Sequence, residues 1–289
     1  MFQVAILLAV YNGERFLAEL LDSFCSQTWK DFTVHVHDDG SHDRSLEIIG
    51  AFSNRLTISL HHDPTPGRGS CRSFLWLLEH VDADYFFFSD QDDVWLPEKV
   101  EKSLKALLEL EEKYGAETPC SICCDLKVVD SELRTIAESF WDREKIRPEK
   151  LTTFFYLAGQ NMAAGCTMCF NNALKAAALP VIRDPVMHDH YLILTAVAKH
   201  GKVKVLREAL ILYRQHEHNV IGSTENSSGL FAWLLRKILH LRTVWKKNMA
   251  QYRQAKEITS IPLLTYWRYR IAYTFFIRYA KDYHAGAAK

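Results

Sequence analysis

Val4-Ala5-Ile6-Leu7-Leu8-Ala9-Val10, running into Tyr11-Asn12-Gly13, decides the fold. An unbroken apolar run of strand length leaves no face for water, which is the pattern of a strand covered on both sides in a parallel sheet. Between Glu14 and Thr28 the residues Phe16, Leu17, Leu20, Leu21 and Phe24 recur at helical spacing, and Phe32 to His37 reads as a second strand stopping at Asp38-Asp39-Gly40-Ser41. Outward from this β-α-β unit the alternation continues: a helix over 45–52, a strand over 56–61, a helix over 73–80, and a strand Tyr85 to Phe88 that ends in Ser89-Asp90-Gln91-Asp92-Asp93. A long amphipathic segment over 97–114, strands over 121–129, 165–170 and 203–213, and a helix over 191–199 extend the same pattern. The prediction is an α/β fold with a doubly wound, mostly parallel sheet.

The chain has 289 residues, 48% hydrophobic and 24% charged, enough to bury a large core and far from disordered or collagen-like composition. Its net charge of zero argues against a dedicated nucleic-acid binder, but it averages two unlike parts. Residues 229–289 hold twelve Lys or Arg against two acids, which leaves 1–228 about as acidic as the tail is basic. The segment 222–229, rich in Ser, Asn and Thr, coincides with that change and predicts a boundary, with a first unit over 1–222 and a helical, basic and aromatic extension over 223–289. The odd number of cysteines and the opening Met1-Phe2-Gln3, without a basic stretch and cleavage site, predict a cytoplasmic protein. No apolar run reaches the length needed to span a bilayer.

Ligands of open α/β sheets bind just past the carboxyl ends of strands, and two acidic clusters fall there, Asp38-Asp39 and Asp90, Asp92, Asp93. Crowded carboxylates raise each other's pKa unless a cation or a donor-rich ligand neutralises them. Three of them within four positions suit a hard divalent ion, Mg2+ or Mn2+, that also binds substrate phosphate. Taken alone the same acids read equally as caps of the helix that begins near Pro97. Cys120, Cys123, Cys124, Cys166 and Cys169 superficially suggest zinc, but residues three apart in a strand face opposite sides, so small buried hydrophobes are expected instead.

Together, Tyr11-Asn12 after the first strand, Asp38-Asp39-Gly40-Ser41, the run Asp90-Gln91-Asp92-Asp93-Val94-Trp95-Leu96-Pro97, His188-Asp189 and Tyr213-Arg214-Gln215-His216-Glu217-His218-Asn219 resemble a family 2 glycosyltransferase of the GT-A fold. The nearest look is to bacterial rhamnosyltransferase-like enzymes of cell-surface polysaccharide synthesis, over residues 1–222. The resemblance implies that Asp38 and Asp39, with Ala9 and Tyr11 beside them, contact the pyrimidine and ribose of a nucleotide. It implies that Asp90, Asp92 and Asp93 hold the diphosphate through the metal, with Asp92 the leading ligand and His216 closing over it. Ser73 stands where the family often has Asn, and Arg68 or Arg72 is left to neutralise phosphate. Asp189, in His188-Asp189-His190, matches the catalytic acid motif and would be the general base, since a sugar hydroxyl is too weak an acid to attack unaided; its plain alternative is a helix cap. Gly165 and Cys166 fall in the acceptor-side segment 160–168, and His188, Arg214 and Asn219 go to the acceptor or diphosphate side, Arg214 adding positive charge. One base and no covalent nucleophile imply inversion at the anomeric carbon.

In the extension, Phe231, Leu234, Leu235, Ile238, Leu241 and Trp245 make an amphipathic helix with Arg236, Lys237, His240 and Lys247 on other faces. A second segment over 263–283 interleaves aromatics with Arg and Lys, a composition suited to a membrane headgroup layer or to packing on the chain's own catalytic domain. The reading is a transferase taking a dTDP or UDP sugar, rhamnose first, to a hydroxyl of a glycan or lipid-linked acceptor, peripheral on the inner membrane face, with no nucleic acid and with a homo-oligomer left open. A sugar nucleotidyltransferase would want a Gly-rich, Lys-bearing loop after the first strand, which Tyr11-Asn12-Gly13-Glu14-Arg15 does not provide. A catalytically dead, membrane-bound scaffold for polysaccharide assembly is the other alternative.

Overall fold

The computed structural model describes residues 2–151, 153–183, 185–216 and 230–274, with the backbone alone for 230–241. In chain order the elements are β1 (Val4–Val10), α1 (Leu17–Cys25), β2 (Thr33–Asp38), α2 (Ser45–Phe52), β3 (Ile58–His61), α3 (Ser70–His80), β4 (Tyr85–Ser89), β5 (Val94–Trp95), α4 (Lys99–Tyr114), β6 (Cys120–Val129) and β7 (Thr135–Ala137). There follow α5 (Phe140–Arg143), α6 (Phe154–Gly159), β8 (Met168–Asn171), α7 (Asn172–Ala178), α8 (His188–Ala198), β9 (Lys202–Arg214), α9 (Leu230–Ile258) and α10 (Leu263–Ala272).

Alternation along the central strands builds a three-layer molecule. Val4, Ile6, Leu8 and Val10 of β1, with Tyr85 and Phe87 of β4, pack toward α1, α2 and α4. Ala5 and Leu7, with Phe86 and Phe88, pack toward α3, α6 and α8 on the other face. Each strand therefore needs apolar residues at every position, which is why both read as continuous runs.

The nine-stranded sheet has the order β3-β2-β1-β4-β8-β6-β9-β5, with β7 on β6. β3, β2, β1 and β4 are mutually parallel, and β6 with β9 is parallel again. β8 runs antiparallel between β4 and β6, and β5 antiparallel to β9. The sheet is thus α/β and mostly parallel, with reversals at β8, β5 and β7. The chain goes from β1 outward to β3 and returns on the other side at β4, so a crevice opens where β1 and β4 end, the usual ligand position of such sheets.

The expected boundary at residue 222 and the segment 222–229 lie outside the described residues. The described part of the extension packs on the sheet domain: Ala255, Ile261, Tyr266 and Tyr273 are buried in the same core as α3 and α8. Tyr273 Oη accepts from Arg147 N at 3.0 Å, and Tyr269 stacks on Phe155 with centroids 4.9 Å apart. Burying one such side chain contributes about 1.5–3 kcal/mol, more than the roughly 1 kcal/mol a surface cation gains from anionic lipid. These aromatics therefore belong to the protein core. Trp245, at 55% exposed, and Leu264, at 85%, stay on the outside.

Candidate active site

The crevice is a cleft of about 970 Å³, ample for a nucleotide sugar. At one end it is lined by Ala9, Val10, Tyr11 and Asn12 from the end of β1, by Asp39 after β2, and by Asp90, Gln91 and Asp92 after β4. The two central strand ends are clamped together: Tyr11 N donates to Gln91 Oε1 at 2.8 Å and Gln91 Nε2 donates to Tyr11 O at 2.9 Å. A Cβ on Gly13 would sit 2.6 Å from Gln91 Oε1, so only glycine leaves room for this clamp. Asn12, at φ 47°, joins β1 to β2 by accepting from His42 N at 2.9 Å; Asn is among the few residues that tolerate this region.

The aspartates of the first pair have different surroundings. Asp39 lines the cleft and accepts from Gly67 N at 2.7 Å, Arg68 N at 3.1 Å and Gly69 N at 2.8 Å, so it fixes the loop before α3. Asp38 turns back to accept from Ser41 N at 3.0 Å and Ser41 Oγ at 2.5 Å and does not line the cleft. Arg68 is directed to Thr65 O and Asp63, and Arg72 donates to Arg183 O at 2.8 Å; neither lines the cleft, although Ser73 does.

The second acidic cluster is divided. Asp92 faces the cleft and pairs with His216 Nε2 at 2.8 Å, the imidazole resting against Phe16 with centroids 5.1 Å apart. Asp93 is fully buried behind it; Oδ1 accepts from Arg214 N at 3.2 Å while Oδ2 has no hydrogen-bond partner. Asp90, Asp93 and Cys166 bring one donor atom each within 4.8 Å of one another. Burial first, and then the neighbouring carboxylates, hold Asp90 and Asp93 well above the usual carboxylate range. Burial likewise raises the Cys166 thiol, with Asp93 and Asp90 adding to it. Cys166 lies in the turn Gly165–Thr167 rather than in a strand, so it is a thiol facing acids rather than only a small core hydrophobe. Cys120, Cys123 and Cys124 in β6 and Cys169 in β8 are buried as expected.

Carboxylates that repel one another, an orphaned buried oxygen and an adjacent imidazole are the donor chemistry of a hard divalent ion, so the residues fit Mg2+ or Mn2+. Arg214, expected to add charge at the diphosphate, is used elsewhere. Its guanidinium, 1% exposed, donates to Asp92 O at 2.8 Å, Ser131 O at 2.6 Å and Glu19 Oε2 at 2.8 Å, and lies over Phe16. It holds the acidic corner in shape, because a buried guanidinium needs several acceptors. Asn219 lies outside the described residues.

At the other end stand Asn161, Gly165, His188 and Asp189. Asp189, in the first turn of α8, accepts from His190 N at 2.5 Å, with the Asn161 side chain and the Gly165 N–H as further donors. Burial outweighs these donors and pushes its carboxyl up to about 6. His188 packs its ring on Phe74 and Phe88, is pushed down to about 3 by burial, and has neither ring nitrogen hydrogen-bonded. A Cβ on Gly165 would fall 2.3 Å from His188 Nε2. Glycine there lets the backbone lie against the imidazole and reach Asp189. A carboxyl of such pKa, buried in a cleft and held by directed donors, is suited to take a proton near neutral pH.

The sequence did not single out Gln91, Lys247, Gln251, Gln254 or Arg270 as site residues. Gln91 was readable as the one uncharged polar residue between two aspartates. Lys247, Gln251 and Gln254 recur at i, i+4 and i+7 on α9, a polar stripe on a helix otherwise read for its apolar face.

Residues 5–164 match the model of the family described as glycosyl transferase family 2. Over 228 residues, 75% of this chain and 74% of the other, the chain is 26% identical to a protein of Shigella flexneri named dTDP-rhamnosyl transferase RfbG. It is 22% identical over 241 residues, 81% of this chain and 72% of the other, to an uncharacterized glycosyltransferase of Rickettsia typhi. Among solved structures it is similar to S. aureus TarS 1-349 in complex with UDP-GlcNAc, with TM-score 0.57 and 19% identity over 78% of this chain. It spans only 62% of that TarS chain. A mannosyltransferase of Pyrobaculum calidifontis, in complex with GDP-Man and Mn2+, aligns with TM-score 0.53 and 16% identity over 94% of this chain and 74% of the other. The matched segment takes in the strand-end acids after β2 and β4 and Asn161, while Gly165, His188, Asp189 and His216 of the cleft follow it. The chain belongs to glycosyl transferase family 2.

Proposed function

We propose that the chain is an inverting, divalent-metal-dependent glycosyltransferase moving a sugar from a nucleoside diphosphate to a hydroxyl of a cell-surface or lipid-linked glycan, with dTDP-rhamnose as the first donor and a UDP-hexose as the next. The observation that carries it is one cleft holding, in order, Asp39 at the nucleotide end, the Asp92–His216 pair, and the buried Asp189. The likeness to RfbG supports rhamnose in particular.

Asp39, with the Tyr11 backbone, receives the base and ribose; its carboxylate is already aligned by three backbone N–H groups. Asp92 and His216, with Asp90 beside them and Asp93 behind, would hold Mg2+ or Mn2+, which when bound supplies Lewis-acid stabilisation of the departing diphosphate. Arg214 keeps that corner in register. Asp189 accepts the proton of the acceptor hydroxyl as its oxygen bonds to C1 and the C1–O bond to the diphosphate breaks. With Asp189 as the base and water-free attack by the acceptor oxygen, one displacement inverts the anomeric centre.

Among the described residues no helix is long and apolar enough to cross a membrane. Trp245 and Leu264 on the outer face of the extension, beside the exposed Arg242 and Lys246, are consistent with peripheral attachment to an anionic inner membrane face. Removal of everything after residue 222 would strip part of the core, so attachment is tested on the whole chain. Trp245→Ser with Lys246→Glu should weaken binding to phosphatidylglycerol vesicles; unchanged binding contradicts it.

Incubation with dTDP-rhamnose or UDP-hexoses, Mn2+ and a polyprenyl-linked glycan tests the transfer. Release of nucleoside diphosphate with an inverted product anomer is expected, and no release from any donor would favour the inactive scaffold.

A further inference from the structure

Helices α9 and α10 form a hairpin whose inner side closes the cleft beyond Asp189. Lys247 and Gln251 of α9 and Arg270 of α10 line it together with Asn161 and His190. The hairpin is tied to the catalytic segment. Gln254 Nε2 donates to His190 Nδ1 at 3.2 Å, and Gln254 Oε1 accepts from Val186 N at 2.6 Å. His190 Nε2 donates to Leu157 O at 2.8 Å, which fixes the neutral tautomer with Nδ1 as acceptor. Arg270 runs along the end of α6, where a Cβ on Gly159 would lie 2.9 Å from its Cδ.

Two features of this wall are not explained by packing. Gln251 is 5% exposed, and its buried Oε1 has no hydrogen-bond partner, an acceptor suited to a ligand hydroxyl. Lys247 and Arg270 set two cations at the end where the base sits, close enough that both repel a proton from His190. The carboxylates lining this end are Asp189 and Glu144. Arg270 presents five N–H donors, so a partner within the protein does not exhaust it.

We infer that the hairpin is an acceptor subsite for a sugar that carries an anionic oxygen group, a phosphate ester or a carboxylate, bound by Lys247 and Arg270 while a neighbouring hydroxyl donates to Gln251 Oε1. The inference rests on the glycosyl-transfer reading above. An acceptor of this kind would otherwise place negative charge beside Asp189 and hinder its ionisation. The two cations offset that charge, and the guanidinium can bind a planar carboxylate or a phosphate bidentately.

The test uses the full chain with Mg2+ and UDP or dTDP at saturation, so that the nucleotide end and its metal site are filled before the probe is added. Ligand-observed NMR compares glucose 1-phosphate, glucuronic acid and glucose. At least one anionic sugar should bind about tenfold more tightly than glucose, and Lys247→Glu with Arg270→Gln should abolish that preference. Tight binding of glucose 1-phosphate alone identifies a phosphate, and of glucuronic acid alone a carboxylate. Lys247→Glu by itself lies on an exposed helix position, keeps the fold testable and should also reduce the preference. No preference for either anion, or a preference untouched in both variants, overturns the subsite. Nucleotide affinity is measured in the same samples. If UDP and dTDP fail to bind the unaltered chain, it is the transferase reading that falls; if they bind and the anions do not discriminate, only the subsite falls.

Discussion

The two ends of the cleft are built by different rules. At the end proposed for the nucleotide the polar groups lie within a few residues of a strand terminus, and apart from the buried Asp93 Oδ2 of the acidic corner their hydrogen bonds are made within the protein: Asp39 with three backbone amides, Asp38 with Ser41, Gln91 with Tyr11. At the acceptor end Asn161, Gly165, Asp189, Gln251 and Arg270 come from separate elements, and buried polar atoms of His188 and Gln251 have no partner. An end whose remaining open position is a carboxylate oxygen is preorganised for one kind of ligand. An end with unused donors and acceptors takes its specificity from whatever supplies the missing bonds.

The sharpest way to break this contrast is to change one end and look for an effect at the other. Asp189→Asn keeps the shape and removes the base, so kcat should fall on the order of 10²–10⁴-fold with nucleotide affinity nearly unchanged. A matching loss of nucleotide affinity, read by calorimetry, would mean that the ends are not separate. Asp92→Ala should lower kcat by about 10²–10³-fold and also weaken Mn2+-dependent nucleotide binding, a double effect that Asp189→Asn lacks.

Acidity gives a smaller and more specific effect. As the proposed base Asp189 would work only when ionised, and burial raises its pKa to about 6. Rate should therefore rise with pH up to about 6 and level off above it, with roughly a tenfold loss one unit below. A profile still flat at pH 5 would show that the carboxyl is not the rate-determining base or is not buried in the working enzyme. Smallest is Gln254→Leu, which leaves His190 Nδ1 and Val186 N without their partner at a cost of about 1–3 kcal/mol. The melting midpoint should drop by a few degrees and acceptor KM should rise while donor KM stays put; equal movement of both would argue for a general loosening.

The same contrast governs what the sequence disclosed. β1 and β4 are legible because burial on both faces demands unbroken apolar runs, and the acids after them are legible because strand ends are where such sheets bind ligands. β5, β7, α5 and α6 are too short for any period to appear, and the antiparallel insertion of β8 between β4 and β6 is decided by tertiary pairing rather than by its four residues. Arg214 read as a source of charge at the diphosphate because its side-chain acceptors, Asp92 O, Ser131 O and Glu19, lie 83 to 195 residues away in the chain. The aromatic extension read as suited either to a membrane surface or to packing on the catalytic domain, because composition cannot say that Tyr266 and Tyr273 find the protein core.

The central claim is that Asp92 and His216 hold a divalent ion that binds a nucleoside diphosphate at the β1–β4 crevice. Calorimetric titration of UDP and dTDP into the full chain, with and without Mn2+ and again with Asp92→Ala, tests it most directly. One of the nucleotides should bind only with the metal and should lose that dependence in the variant. Equal affinity with and without Mn2+, or an unaltered metal-dependent isotherm in Asp92→Ala, would contradict the account.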